Sequence, residues 1–266
     1  MKKFTELPYT RPDINAIKTV FREQVKLLKA ASTLEEQIQA IKEINKINAN
    51  VDTASNLAYI RNSIDTTDDF YDAERTFFDE NGPEISDLNF EYYTALAGSK
   101  FKKELIASFG EQLFTIASYR VNSFSKEIIE DLKEENKLGS SYSKLVAGAK
   151  IQFDGKELNL SQLTPYVQSK DRPVRKAAAE ARFNFVAENE EQFDTIYDDA
   201  VKLRHKMARK MGLKNFVELG YLRMQRSDYT PEMVASYREQ VREHIVPLAV
   251  QIRKKQAKRL GLEKLK

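Results

Sequence analysis

TLEEQIQAIKEINKINANVDTASNLAYIRNSI, residues 33–64, decides the fold class. Ile38, Ile41, Ile44 and Ile47, then Val51, Leu57, Ile60 and Ile64, recur mostly at three- or four-residue steps. That spacing collects apolar side chains on one face of an α-helix. Thr33 stands before the run with Glu36 three residues on, the capping-box pattern in which the hydroxyl accepts a free backbone N–H and the carboxylate reaches back. The stretch therefore reads as one extended helix.

The flanking sequence continues in the same style. Upstream, Arg11-Pro12-Asp13 opens a helix carrying Ile14, Ile17, Phe21, Val25 and Leu28 on one face. Downstream, residues 67–97 are helical in pattern, but Asn81-Gly82-Pro83 interrupts them, because proline cannot donate an intrahelical bond. This predicts a helical hairpin. Residues 100–135 read as helix with a break at Gly110, their rings at Phe101, Phe109, Phe114, Tyr119 and Phe124 serving as packing. The acidic run DLKEEN, residues 131–136, then meets Leu138-Gly139-Ser140-Ser141, where a turn or loop is expected.

AKIQFDGKELNL, residues 149–160, departs from helix. Ile151 and Phe153 alternate before Asp154-Gly155, a pair that tolerates the positive φ angles of a type I′ turn, and Leu158 and Leu160 follow. A short β-hairpin is expected there. From Asp171 the pattern returns to helix in one run of about forty residues, far above the usual length, ended by Gly212. Thr230-Pro231 starts a further helix toward Arg259. The reading is mainly α: long helices and helical hairpins with one short β-hairpin near residues 150–160.

The chain has 266 residues, 41% hydrophobic and 31% charged, with 9 Gly and 7 Pro, which suits one or two helix-rich globular units. It has no cysteine, which excludes disulfides, Cys-ligated zinc and thiol catalysis and fits a reducing compartment. MKKFTELPYTRPD, residues 1–13, lacks the apolar stretch of a secretory signal. No membrane span is expected, and a cytoplasmic location is. The net charge of +3 hides an asymmetry: Val201–Lys266 holds 17 Lys plus Arg against 6 Asp plus Glu, while residues 1–200 hold 26 against 34. The basic segment suits an acidic neighbour or a phosphate backbone. Nucleic-acid binding is disfavoured, because no Phe, Tyr or Trp follows Tyr237 to stack on bases.

Catalytic chemistry is hard to place on these residues. A zinc enzyme needs three protein ligands, compactly supplied by H-E-x-x-H plus a further group. The two histidines, His205 and His244, lie 39 positions apart and neither begins that motif. The chain has no G-x-S-x-G elbow, no G-x-x-x-x-G-K-[ST] phosphate loop and no G-x-G-x-x-G turn. The acidic pairs Asp68-Asp69, Glu134-Glu135, Glu190-Glu191 and Asp198-Asp199 are read as solvated helix faces, since adjacent helical residues point apart. Met207, Met211, Met224 and Met233 are read as core filling by default. No catalytic or metal residue is assigned, and substrate-binding residues are left unnamed.

Three stretches in order resemble the oligoendopeptidase F-like branch of the M3, thimet oligopeptidase-type, zinc metallopeptidases. They are FTELPYTRPDI (4–14), IQFDGKELNLSQLTPYVQSKDRPVRKAAAEA (151–181) and KLRHKMARKMGLKNFVELGYLRMQRSDYTPEMVASYREQV (202–241). The resemblance implies a mostly helical metalloendopeptidase with a deep channel for short unstructured peptides. Its zinc would sit on an H-E-x-x-H helix completed by a downstream Glu. That motif is absent here, so zinc is expected in the complete enzyme and none on this chain. The resemblance makes residues 1–170 an N-terminal helical lobe including the β-hairpin, and 171–266 the incomplete opening helices of the catalytic domain. The missing C-terminal half and oligopeptide substrates are the implied partners. The basic segment is expected to face more acidic parts of that half. A non-catalytic helical interaction or peptide-binding module is the alternative.

Overall fold

In the computed structural model, residues 3–265 are described; Lys266, the last residue of the basic tail, lies outside them. The fold is 76% helical with one two-stranded antiparallel sheet, which is the mainly α architecture expected. The chain divides into two compact units, Met1–Arg223 and Met224–Lys266.

The first unit begins with a 3-10 turn, Phe4–Glu6, and helix α1, Ile14–Ala30. Asp13 caps α1 by accepting from the backbone N–H groups of Asn15 and Ala16. Helix α2, Leu34–Ile64, is a single 31-residue helix whose Thr33 and Glu36 form the capping box. Helices α3 (Asp69–Ala97), α4 (Lys102–Phe109) and α5 (Gln112–Asn122) follow. Gly110, at φ 85°, breaks the chain between α4 and α5 as its position predicts. Phe21, Val25, Leu28, Ile41, Ile44, Leu88, Tyr92, Leu96, Leu105 and Phe114 form the core of these five helices. Each large apolar side chain buried there contributes about 1.5–3 kcal/mol. Phe101 packs against that core, Phe124 is buried, and Phe109 is exposed at the end of α4.

The expected break at Asn81-Gly82-Pro83 does not occur: α3 runs straight through Pro83. Pro83 leaves the Asp79 carbonyl without its usual partner, and the Asn136 side-chain amide supplies one at 3.0 Å. Asn136 lies on helix α6, Ile129–Ala147, which packs along α3. The loop expected at Leu138–Ser141 is absent for a related reason. Helix α6 continues across Gly139 and Ser140, and the Ser140 hydroxyl donates to the Asp79 carboxylate while accepting from Arg75 Nε at 3.1 Å. Tertiary partners outweigh the local preference at both places.

The β-hairpin lies where it is expected. Strands β1, Ile151–Phe153, and β2, Lys156–Leu158, pair with Ile151 opposite Leu158. Asp154 and Gly155 take φ 52° and 67°, the positive pair of a type I′ turn. Ile151, Leu158 and Leu163 pack with Tyr166, Ala181 and Phe185 from helices α7 (Thr164–Val167) and α8 (Arg172–Glu188). The forty-residue helix expected from Asp171 is two helices. Asn189, at φ −112° and ψ 17°, separates α8 from α9 (Glu190–Lys210), and its amide donates to the Phe185 carbonyl at 2.8 Å. Gly212, at φ 76°, follows the end of α9, and α10 (Phe216–Arg223) closes the unit.

After the irregular residues 224–230, the second unit is helical from Pro231 to Leu260. Thr230 caps α11, Pro231–Gln240, by accepting from Met233 N, as its sequence predicts. One π-helical turn, Val241–Ile245, then leads into α12, Val246–Leu260. Pro247, second in α12, has no N–H to give, and the i to i−5 bond from Val246 to Val241 carries the chain past it.

Candidate functional site

The residues a metal enzyme would need are not gathered here. His205 is exposed on α9 and His244 is exposed in the π-helical turn, where Glu243 lies 4.0 Å away. Among the described residues no group of three or more His, Asp or Glu side chains could hold a metal ion. The donor set therefore does not fit a catalytic zinc.

The acidic pairs divide in a way that sequence did not show. Asp68 caps α3, Asp198 pairs with Lys202 on the surface, and Glu190 and Glu191 are exposed. Glu135 is instead 8% exposed and lies between two guanidinium groups. Arg204 Nε reaches its Oε1 at 2.7 Å, and Arg223 reaches Oε1 and Oε2 at 3.2 and 2.8 Å. Burial alone would raise the Glu135 pKa; the Arg223 and Arg204 hydrogen bonds and charges more than offset this and hold it below the usual carboxylate range. Both arginines also stand over the Phe216 ring, at 5.4 and 5.8 Å from its centre.

One helical turn earlier, the buried Asp131 takes Lys206 at 2.7 Å and Lys210 on its other oxygen. Burial again pushes its pKa up, and the two lysines bring it below the ordinary value. Beneath these pairs Ile128, Met207, Ala208 and Leu219 are fully buried, with Met211 packed against them. Core filling therefore holds for Met207 and Met211, whereas Met224 and Met233 are exposed. Four basic residues of the 201–266 segment thus find carboxylates on α6 within this chain. Acidic residues at i and i+4, Asp131 and Glu135, facing a later run of basic residues were the available signal.

The concave feature with the most polar chemistry runs along α3. It is a cleft of about 650 Å³ walled by α2, α5 and Arg223. Asn45, Asn48, Asp52 and Ser55 form one wall, at the three- or four-residue spacing of a single face of α2. The floor includes Ser86, Asn89, Phe90 and Tyr93, and the far side holds Arg120, Phe124 and Arg223. Asn48 Nδ2 donates to Asn89 Oδ1 at 2.9 Å, and Asn89 Nδ2 returns the bond at 3.3 Å. The rings of Phe90 and Phe124 meet at 5.5 Å. Sequence periodicity marked only the apolar face of α2 and passed over this polar one.

Comparison with known proteins gives this architecture a family. Residues 4–124 match the family described as the Peptidase M3 N-terminal domain. Across 98% of its length the chain is 49% identical to a protein assigned as an oligoendopeptidase F from Bacillus anthracis str. Ames, with a TM-score of 0.96, and it covers 48% of that chain. PZ peptidase A, solved with an inhibitor, is 50% identical over 99% of this chain and 47% of its own, also at a TM-score of 0.96. Oligoendopeptidase F from Enterococcus faecium, at 17% identity and a TM-score of 0.62, shares the fold. No curated protein sequence matches. The chain spans about half the length of the first two relatives. It belongs to the oligoendopeptidase F-like M3 peptidases, and the matched domain marks it as an N-terminal portion lacking the H-E-x-x-H region.

Proposed function

We propose that this chain is the N-terminal part of a zinc-dependent oligoendopeptidase that hydrolyses internal bonds of short peptides, acting in the cytoplasm. The observation that carries the reading is the combination of 46–50% identity to three peptidase structures over nearly the whole chain with coverage of only about half of each. The metal ligands and the general base belong to the remainder, because this chain's own donors do not fit zinc. Residues 1–170 are the lobe and 171–266 the opening of the catalytic domain. The lack of cysteine supports a reducing compartment, and among the described residues no helix is long and apolar enough to cross a membrane.

The part this chain plays is to bind and orient. The Glu135 and Asp131 ion pairs fasten α9 and α10 to α6, which fixes the far wall of the α3 cleft through Arg223. On this reading the isolated chain is inactive. Highly purified chain incubated with zinc and an internally quenched peptide should show no metal-dependent cleavage. Cleavage abolished by a chelator would refute the assignment of the catalytic groups to the remainder. A second reading, a peptide-binding module that does not cleave, is favoured by the cleft itself.

A further inference from the structure

We infer that a small pocket walled by α2, α3 and α6 binds one planar oxyanion of single charge, held by the two terminal nitrogens of Arg75 and the side-chain amide of Asn62. Formate, nitrate and bicarbonate share this chemistry. The inference stands on donors within residues 59–147 and is independent of the peptidase reading.

Unused donors come first. The pocket has a volume of about 70 Å³, room for a few waters or one ion of about three or four heavy atoms. Tyr59 and Asn62 line it from α2, Arg75 from α3, and Ser143 and Lys144 from α6. Asn62 is 9% exposed, and its Nδ2 is buried without a hydrogen-bond partner. A buried donor left unpaired is unfavourable, and an acceptor entering the pocket relieves it. Arg75 uses only Nε within the protein, on Ser140 Oγ at 3.1 Å and Asp79 Oδ1 at 3.3 Å. Its two terminal nitrogens have no partner among the described residues, and they form the planar fork that fits two lone pairs of one ligand. The Tyr59 ring faces this guanidinium, with Cζ 4.7 Å from the ring centre, and fixes the plane of the fork.

Charge and shape select the ion. Arg75 and Lys144 line the pocket, and among the described residues no Asp or Glu does. Their counter-charges lie outside the lining: Asp79 beside Arg75 Nε, and Asp72 at 2.6 Å from Lys144 Nζ. Two cations against two carboxylates leave no excess positive charge, so a single negative charge is tolerated and a dianion such as sulfate is not. The hydroxyls of Ser63 and Ser143 give their protons to the Tyr59 and Gly139 carbonyls, so they offer no donors to a bulkier tetrahedral ion. A planar oxyanion meets the Arg75 fork and the Asn62 amide with separate lone pairs, whereas chloride offers a single point of contact.

Chemical-shift titration of the isotope-labelled 266-residue chain with sodium formate tests this, read at the backbone amides of residues 59–66 and 140–147, with sodium chloride and sodium sulfate at matched ionic strength as controls. Of the three salts, formate alone should give saturable shifts, with a Kd on the order of millimolar, the ceiling for an ion of so few atoms. Asn62→Leu should stay folded, since it replaces an unpaired buried donor with an apolar group of similar shape, and should weaken formate binding about tenfold. Arg75→Lys keeps the charge beside Asp79 but loses the fork, and should also weaken it about tenfold. Absence of saturable shifts in the natively folded chain would overturn the inference, as would equal shifts with chloride or sulfate. Wild-type affinity in a folded Asn62→Leu chain would do the same; should that variant fail to fold, wild-type affinity in Arg75→Lys is the overturning result.

Discussion

The side-chain amide of Asn136 occupies the hydrogen-bonding position that Pro83 leaves empty, donating at 3.0 Å to the Asp79 carbonyl one turn earlier in α3. Helix α6 is seated beside Gly82, where an added Cβ would stand 4.0 Å from the same amide nitrogen. Asn136→Ala should cost about 1–3 kcal/mol by leaving a part-buried carbonyl unpaired. In a Pro83→Ala background the new backbone N–H can bond Asp79 itself, so the cost should fall to less than about half. Thermal unfolding of the four chains of this cycle checks the prediction, and equal costs in both backgrounds would refute it.

Removing the carboxylate between Arg204 and Arg223 should be more damaging than removing either arginine. Glu135→Gln leaves two guanidinium groups facing each other, whereas either arginine alone still neutralises Glu135. We expect about 1–3 kcal/mol for Glu135→Gln, below the cost of breaking a fully dry pair, because Arg204 remains 45% exposed. Urea denaturation of the three single variants gives the ranking.

Acid should loosen the same region. Glu135, Asp131 and Glu74 all have folded pKa values held below their ordinary ones by cationic partners, and Tyr9 also bonds Glu74. Their contribution is complete above the unfolded carboxylate pKa of about 4 and is lost as pH falls through the lower folded values. Asp79 has the opposite sign, since burial raises its pKa and protonation relieves it. With three groups losing stability in acid and one gaining it, the melting temperature is expected to fall between about pH 5 and pH 3, with a shallower fall in Glu135→Gln. Melting curves across that range decide it; an unchanged slope in the variant would contradict the role of Glu135.

At the hairpin turn, Gly155 at φ 67° should resist a β-branched side chain. Gly155→Val should cost about 1–2 kcal/mol by calorimetry, while Asp154→Gly, at φ 52°, relieves its backbone and loses only the exposed bond its carboxylate accepts from the Tyr166 hydroxyl, and should cost less.

What the sequence disclosed, and what it hid, follows one physical line. Local chemistry was legible: the Thr33 capping box, the Asp154-Gly155 turn, the Gly110 break and the Thr230-Pro231 helix start all appear as expected. Each is decided by neighbours within a few residues. The errors at Pro83 and at Gly139-Ser140 arise where α3 and α6 complete each other's hydrogen bonds across more than fifty positions, which no local window contains. Asn189 misled differently, because asparagine can sit inside a helix or end one by bonding its own backbone. Glu135 was hidden because adjacent acids such as Glu134 and Glu135 look alike in sequence, although one is exposed and the other buried. The polar wall of the cleft escaped notice because periodicity analysis follows the apolar face of α2.

The central claim is that these 266 residues are the N-terminal part of a zinc oligoendopeptidase whose metal site lies elsewhere in the complete protein. The most direct measurement is the sequence of the source gene beyond the codon for Lys266. The account predicts an open frame encoding H-E-x-x-H with a further Glu downstream. A stop codon immediately after Lys266, or a continuing frame without that motif, would contradict it.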